Sequence, residues 1–294
     1  MTLEQLRLFV AVAEREHVTR AAEALRLTQS AVSAAITSLE SQYGITLFHR
    51  VGRGIVLSEE GRVFLDEARA VLARATAAER VLEELSGLKR GTFSVQASQT
   101  IASYWMPERL VAFRKAYPLM DVRLSAGNTQ QVAQAVSGGI ADLGFIEGQV
   151  SDPELVLTTV DQDRLVIVVA PGHPWARARS MGAAKLLEGE WVLREPGSGT
   201  RSEFESALRS RGINPGQLRV AIELPSIEAV RAAVEAGIGA TAISELAVES
   251  ALKAGTLVRV AFKLPQRVFH AVRHRQRYHS RAAQAFMAMI GARA

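Results

Sequence analysis

The stretch His17–Gly44, HVTRAAEALRLTQSAVSAAITSLESQYG, decides how the rest of the chain is read. It predicts two short helices joined by a tight turn. Thr28 can cap the second helix, because a hydroxyl there accepts one of the N–H groups that a helix start leaves unpaired. Val32, Ile36, Leu39 and Tyr43 follow at steps of four, three and four and share one buried stripe. Gln29, Ser30, Ser33 and Thr37 fall on another face. They are short, uncharged hydrogen-bonding groups, suited to base edges and phosphates in a major groove. Gly44 is the expected stop. The pattern fits a helix-turn-helix with its recognition helix over Gln29–Gln42. It fits an ordinary helical hairpin in a core equally well, so the flanking sequence has to decide.

Before this stretch, Thr2–Glu16 predicts an amphipathic helix burying Leu3, Leu6, Phe9, Val10 and Ala13. The first helix of the pair, Arg20–Arg26, offers Ala21, Ala22 and Ala24 for a close crossing. After it comes ITLFHRVGRGIVLSEEG, in which Leu47 and Phe48 are expected to be buried. Gly52-Arg53-Gly54 is a hairpin turn between two short extended runs. That is a wing, holding Arg50 and Arg53 beside the recognition helix. An arginine on a glycine-flanked tip reaches a phosphate or a narrow minor groove, although a solvated loop arginine is as common. Ser58 then caps a helix running to about Leu88, about 30 residues or ~45 Å long. Phe64, Ala68, Val71, Ala75, Ala78, Leu82 and Leu85 form a heptad seam whose simplest partner is the same helix of a second chain.

Beyond a hinge at Gly87–Gly91 the texture changes to strands alternating with helices, which predicts a parallel sheet with crossover helices. Strands are expected at 93–97, 121–125, 141–146, 165–170, 190–193, 219–222, 239–243 and 268–272. Helices are expected at 106–117, 130–137, 202–210, 226–236 and 282–290. Ligands of such sheets gather at the carboxyl ends of strands. Three polar, acid-free loops fall there: Ser98-Gln99-Thr100, Asn128-Thr129 and Gly197–Arg201. Gly197-Ser198-Gly199-Thr200 directly before a helix offers backbone N–H groups at a positive dipole end, which suits an anion. Each loop alone is more simply a cap and turn; three of one character point to a small anionic ligand.

Composition narrows the classes further. With 294 residues, two or three compact units are expected. The absence of cysteine removes disulfides, thiol catalysis and thiolate metal sites. No basic, apolar leader opens the chain and no apolar run approaches the ~18 residues of a membrane span, so a cytoplasmic protein is expected. The net charge of +5 is weak support for nucleic acid. Residues 1–57 carry six arginines against five glutamates, whereas residues 264–294 carry six arginines and no acid. Gly237-Ile238-Gly239 follows a helix and precedes a strand, the reverse of a dinucleotide fingerprint. His270, His274 and His279 have no paired acid or companion ligand and are expected on a solvated basic surface. Ser198 has no assignable base. No catalytic set, metal or cofactor is expected. The alternative is a solute-binding or enzymatic α/β protein with an incidental helical N-terminus, opposed by the missing leader and the missing catalytic set.

With these residues assembled, the whole chain resembles the LysR-type transcriptional regulators. The specific part runs LxxFVAVAExxxVTRAAEALxLTQSAVSxxIxxLE, supported by REPGSGTR and GxxxADLGFIEG. The resemblance implies a fold of three parts. These are a winged helix-turn-helix domain at 1–58, a linker and dimerisation helix at 59–88, and an effector domain at 91–294. The last would be Rossmann-like and similar to periplasmic binding proteins, with subdomain I at 91–161 and 264–294 and subdomain II at 162–263. A small effector in the cleft would alter how a homodimer or homotetramer contacts double-stranded promoter DNA. Gln29, Ser30, Ser33 and Arg53 match DNA-contacting positions of the family; Thr28, Thr37 and Arg50 complete the expected contact set. Ser98, Thr100, Thr129, Ser198 and Thr200 match cleft positions, with Gln99, Asn128 and Gly199 beside them. Ala34, Ala35 and Thr37 depart from the larger polar or basic residues frequent in relatives, which thins the expected base readout.

Overall fold

The computed structural model describes residues 1–52, 54–85 and 91–291. Arg53 and the expected hinge residues 87–90 lie outside them. Contacts divide the chain into two units, Met1–Leu82 with Gly138–Ile140, and Glu83–Ser137 with Ala141–Ala294.

The first unit opens with α1 (Leu3–Arg15), whose N-cap Thr2 and Gln5 satisfy each other's backbone N–H groups in a capping box. Next come α2 (Val18–Leu25), α3 (Gln29–Tyr43), the antiparallel pair β1 (Phe48–Val51) and β2 (Gly54–Leu57), and α4 (Glu59–Leu85). Leu6, Phe9, Val12, Ala21, Ala22, Val32, Leu39 and Leu47 form the core. Phe9 sits between Phe48 and Phe64, ring centroids 5.4 and 4.9 Å away. Burying one such side chain is worth about 1.5–3 kcal/mol. Leu3, Ala24 and Tyr43, expected inside, are exposed. Leu3 lies in the first turn of its helix, and Tyr43 in the last turn of α3, past the last residue the core covers. Ser58 caps α4: its Oγ accepts from the Gly61 N–H (2.8 Å) and donates to the Thr46 carbonyl (2.7 Å). Gly61 is required here, since a Cβ would overlap the Leu47 carbonyl oxygen.

The expected heptad seam on α4 is divided. Phe64 and the buried Ala68, with Leu65 and Leu72, pack into the unit's own core. Val71 (41% exposed) and Leu82 (68%) face outward. A strict repeat drifts around a straight helix relative to a neighbouring domain, so one stripe serves two surfaces. The Leu85 side chain lies outside the described side chains.

The second unit is a nine-stranded mixed sheet. Its elements are β3 (Gly91–Ser98), α5 (Met106–Ala116), β4 (Met120–Gly127), α6 (Thr129–Gly138), β5 (Leu143–Glu147) and β6 (Leu155–Val169). They continue with β7 (Glu190–Arg194), α7 (Gly199–Arg209), β8 (Arg219–Leu224), α8 (Ile227–Glu235), β9 (Ala240–Ser244) and α9 (Glu245–Ala254). Last come β10 (Val258–Arg259), β11 (Gln266–His274) and α10 (Arg281–Met289). Strands β3, β4 and β5 pair in parallel, as do β7, β8 and β9, as expected. The expected all-parallel sheet is corrected at its middle. β6 pairs antiparallel with β11 along Leu155–Arg164 and antiparallel with β9 along Leu165–Val169. One continuous strand therefore joins two half-sheets. Each half has cores on both faces. Phe93, Phe113, Phe145 and Phe286 oppose Val132, Val136 and Val272 in the first half. Trp175, Trp191 and Phe204 oppose Val166, Val168 and Val248 in the second. Among the described residues no helix is long and apolar enough to cross a membrane.

Candidate functional site

Two surfaces carry the polar residues singled out by the sequence. On the first unit, α3 starts at its Thr28 cap, whose Oγ1 accepts the Ala31 N–H (3.3 Å) and lies 3.1 Å from Ser30 Oγ. Gln29, Ser30 and Thr37 are exposed and Ser33 half-buried, with Val32, Ile36 and Leu39 on the opposite, buried face. Gly44 ends the helix in the left-handed conformation, φ 66°. Arg50 projects, exposed, from β1. The reading of the sequence missed Glu40. Its Oε1 accepts the N–H groups of Leu47 (2.7 Å) and Phe48 (3.2 Å), tying the last turn of α3 to the base of the hairpin. No periodicity signals this, because both partners are backbone groups.

On the second unit, three helix starts converge on the end of β5. Ser98 ends β3, and the expected loop Ser98-Gln99-Thr100 is corrected: Gln99 and Thr100 are already helical and lead into a wide π turn, Ile101–Trp105. Thr129 and Gly199 begin α6 and α7. Glu147 lies at the centre of this convergence, fully buried. Ser98 Oγ donates to Glu147 Oε2 in a short bond, and Thr200 Oγ1 donates to Glu147 Oε1 (3.2 Å). Thr129 Oγ1 donates to the Glu147 carbonyl (2.7 Å). A Cβ at Gly199 would overlap that same carbonyl oxygen. Glycine at 199 thus lets the start of α7 close onto β5.

The base partner is Arg267 on β11, buried among acids. Its Nε donates to Asp163 Oδ2 (2.8 Å) and its Nη1 to Thr200 Oγ1 (3.0 Å). Nη1 also lies 3.5 Å from Glu147 Oε1. Nη2 is 2.6 Å from Asp163 Oδ2, a charge contact off the hydrogen-bond direction. Asp163 also accepts from Ser244 Oγ (3.1 Å). Arg267 and Asp163 face each other across the β11–β6 pairing, where the two half-sheets join. The loops at the strand ends are free of acids, but the site is not: β5 and β6 bring in two carboxylates against one guanidinium. The burial of Glu203 on α7 pushes its carboxyl above the usual range, and Arg267 and Glu147 pull it in opposite directions.

The hydroxyls fall into two groups. Ser98, Thr129 and Thr200 have given their single hydrogens to Glu147. Thr100 Oγ1 and Ser198 Oγ are buried with no hydrogen-bond partner among the described residues. Asn128 Nδ2 donates to Glu195 Oε1 (3.2 Å), and both groups of the Gln99 amide are engaged at Pro225 and Ile227. Away from the site, His274 Nε2 lies 3.3 Å from Glu154 Oε2, so the expectation of an acid-free histidine surface is corrected there. Among the described residues no group of three or more potential ligands could hold a metal.

Residues 3–62 match the bacterial regulatory helix-turn-helix protein, lysR family, and residues 86–294 match the LysR substrate binding domain. The chain belongs to the LysR family of transcriptional regulators. These are not enzymes, and the helix-turn-helix at α2–α3 is this family's DNA-binding element. The Escherichia coli K12 relative named "Uncharacterized HTH-type transcriptional regulator YeiE" is 38% identical over 289 residues, covering 98% of this chain and 96% of that one. Full-length CbnR complexed with its target DNA has the same fold, with a TM-score of 0.71 at 21% identity over 99% of both chains. The regulatory domain of Synechocystis PCC6803 CcmR, in complex with 2-PG, matches 68% of this chain and 96% of its own at a TM-score of 0.63 and 22% identity.

Proposed function

We propose that this LysR-family regulator responds to a small anion bound where β3, β5, α6 and α7 meet, and that binding changes how a homodimer, or a tetramer built from it, holds promoter DNA. The observation that carries the reading is the pair of buried, unpartnered hydroxyls, Thr100 Oγ1 and Ser198 Oγ, at two of three converging helix starts. An unpaired buried hydroxyl costs about 1–3 kcal/mol, and a ligand accepting from both recovers it. The helix starts contribute positive ends that favour negative charge. Arg267 offsets one of the two buried carboxylates. That the regulatory domain of CcmR, of the same fold, is found in complex with 2-PG supports a small ligand on this domain.

For DNA, Gln29, Ser30, Ser33 and Thr37 would meet base edges and phosphates, with Thr28 setting the start of the helix. Arg50 and Arg53 would reach the backbone or minor groove from the wing. The outward Val71 and Leu82 would join α4 to its copy and pair two recognition helices on a two-fold site. The expected division at 1–58, 59–88 and 91–294, with subdomain I at 91–161 and 264–294, is proposed on the same grounds.

A single set of measurements tests the reading. Inorganic sulfate, phosphate and small carboxylates are screened by thermal shift against the full chain, and DNA affinity is measured by gel shift with fragments selected from the genome. Replacing Thr100 with Val and Ser198 with Ala should abolish the anion-induced shift while DNA affinity survives. Ser33→Ala with Arg50→Ala should weaken DNA binding by tenfold or so, at ~1–3 kcal/mol per good base contact, with the anion shift intact. A shift that persists in the first variant places the ligand elsewhere.

A further inference from the structure

The first turn after β3 bonds across to the other half-sheet through one side chain. Gln99 Nε2 donates to the Pro225 carbonyl (2.8 Å), and Gln99 Oε1 accepts the Ile227 N–H (3.0 Å). Pro225 and Ile227 flank Ser226, the N-cap of α8, whose own Oγ accepts the Ala229 N–H (3.0 Å). The Ile227 N–H is one of the donors that a helix start leaves without an intrahelical partner. Gln99 therefore supplies α8 with a second cap, from the other half-sheet and 128 residues away in sequence. In the π turn that follows, the Tyr104 hydroxyl reaches Glu228 Oε1 (3.4 Å) in the first turn of α8. Burial, with Glu228 beside it, raises the pKa of Tyr104, so the hydroxyl keeps its hydrogen to donate. At the end of the turn, Trp105 Nε1 donates to Asp161 Oδ2 (2.6 Å) on β6, close to where that strand passes between the half-sheets.

We propose that Gln99 is a latch: its bidentate bond to the α8 start holds the two half-sheets closed, independently of any bound ligand. Only glutamine chemistry fits both partners. The bond needs a donor and an acceptor on one planar group, as in a peptide unit, at the reach of two methylenes. Glutamate keeps the acceptor for Ile227 but sets a second oxygen against the Pro225 carbonyl. Asparagine is one methylene short. Alanine has neither group. Losing a pair of such bonds is enough to raise the population of an open form by about fivefold to a hundredfold. Thr100 is the next residue, so the turn that carries the latch also carries a candidate ligand group. The latch itself rests on the observed bond, and its test does not depend on the anion reading.

The chain has no cysteine, so Lys115→Cys on α5 and Ser250→Cys on α9, both exposed, provide a clean labelling pair on the two halves. Nitroxide-labelled full-length protein, diluted with unlabelled chain so that only distances within one chain are read, is measured by pulsed electron–electron resonance in anion-poor buffer. The parent pair should give one narrow distance. Gln99→Ala should add a second population or broaden the distribution by several ångströms. Gln99→Glu should do the same while retaining one cap bond, which keeps the test open if the alanine variant folds poorly. Tyr104→Phe should shift the distribution in the same direction and less. A lowered melting temperature with distance distributions that superimpose on the parent would reduce Gln99 to a helix cap and overturn the proposal.

Discussion

Arg267 shows how one residue sets the chemistry of its surroundings. Two carboxylates, Glu147 and Asp163, are buried beside its guanidinium, with Ser98, Thr200 and Ser244 donating to them. Taking such charges out of water costs several kcal/mol per ion unless partners and hydrogen bonds compensate. Here the hydroxyls of Ser98, Thr200 and Ser244 and the Arg267 Nε–H are turned toward the acids. Glu203 stands at the rim of this network and is the residue at which pH should be felt. Its folded pKa is raised by burial, so its favourable contribution is complete below the unfolded carboxylate pKa and is lost as pH rises through the folded value. Glu203→Gln should therefore raise the melting temperature at pH 8, and the difference should vanish below about pH 4. Calorimetry of both proteins across that range checks the sign; a variant less stable at pH 8 would mean that Arg267 outweighs burial. Most hydroxyls of the site were legible as polar residues at strand ends. The two acids were not. Glu147 closes a run of apolar strand residues and Asp163 lies inside a longer strand than the hydrophobic pattern suggests, so neither stands in a loop.

At the scale of elements, α4 has to satisfy three demands along 27 residues. Its start is pinned by Ser58, its early turns fill the core of the first unit, and its later apolar residues point outward. The pin is tight. Gly61 approaches the Leu47 carbonyl so closely that even a methyl group overlaps it. Gly61→Ala, which would stabilise an unconstrained helix by about 1 kcal/mol, should here destabilise the first unit by about 1–3 kcal/mol. Thermal unfolding followed by heteronuclear NMR should show the loss in residues of α1–α3 while resonances of the nine-stranded sheet hold. The sequence revealed this helix, its cap and its period. It did not reveal the division of its apolar stripe, because a period states which residues share a face and not what covers them. The π turn after β3 was invisible for a related reason. Ser98-Gln99-Thr100 has the polarity of a loop, yet Ser98 ends β3 and Gln99 and Thr100 begin a helix, with the Gln99 amide bonded to the start of α8.

For the whole molecule, the proposed dimer makes a separable prediction. Val71→Asp with Leu82→Asp should convert the full chain to a monomer by sedimentation and weaken binding to a two-fold DNA site by at least tenfold, through loss of the effective concentration that joins two recognition helices. The thermal response to anions should persist. A species that remains dimeric would move the interface off α4. Taken alone, the sequence determined the elements and their faces: the buried stripe of α3 beneath its polar face, the capped long helix, and strands alternating with helices into an α/β unit. These are local properties, written in spacings of two, three and four residues, and hydrophobic burial enforces them wherever the chain folds. Tertiary structure alone decided which groups meet. Glu147 takes its bonds from residues 49 and 53 positions away, and Gln99 its backbone partner 128 positions away. Hydrogen bonds and charge pairs act over about 3 Å, so their partners are set by how β6 and β11 join two half-sheets, which no local spacing records.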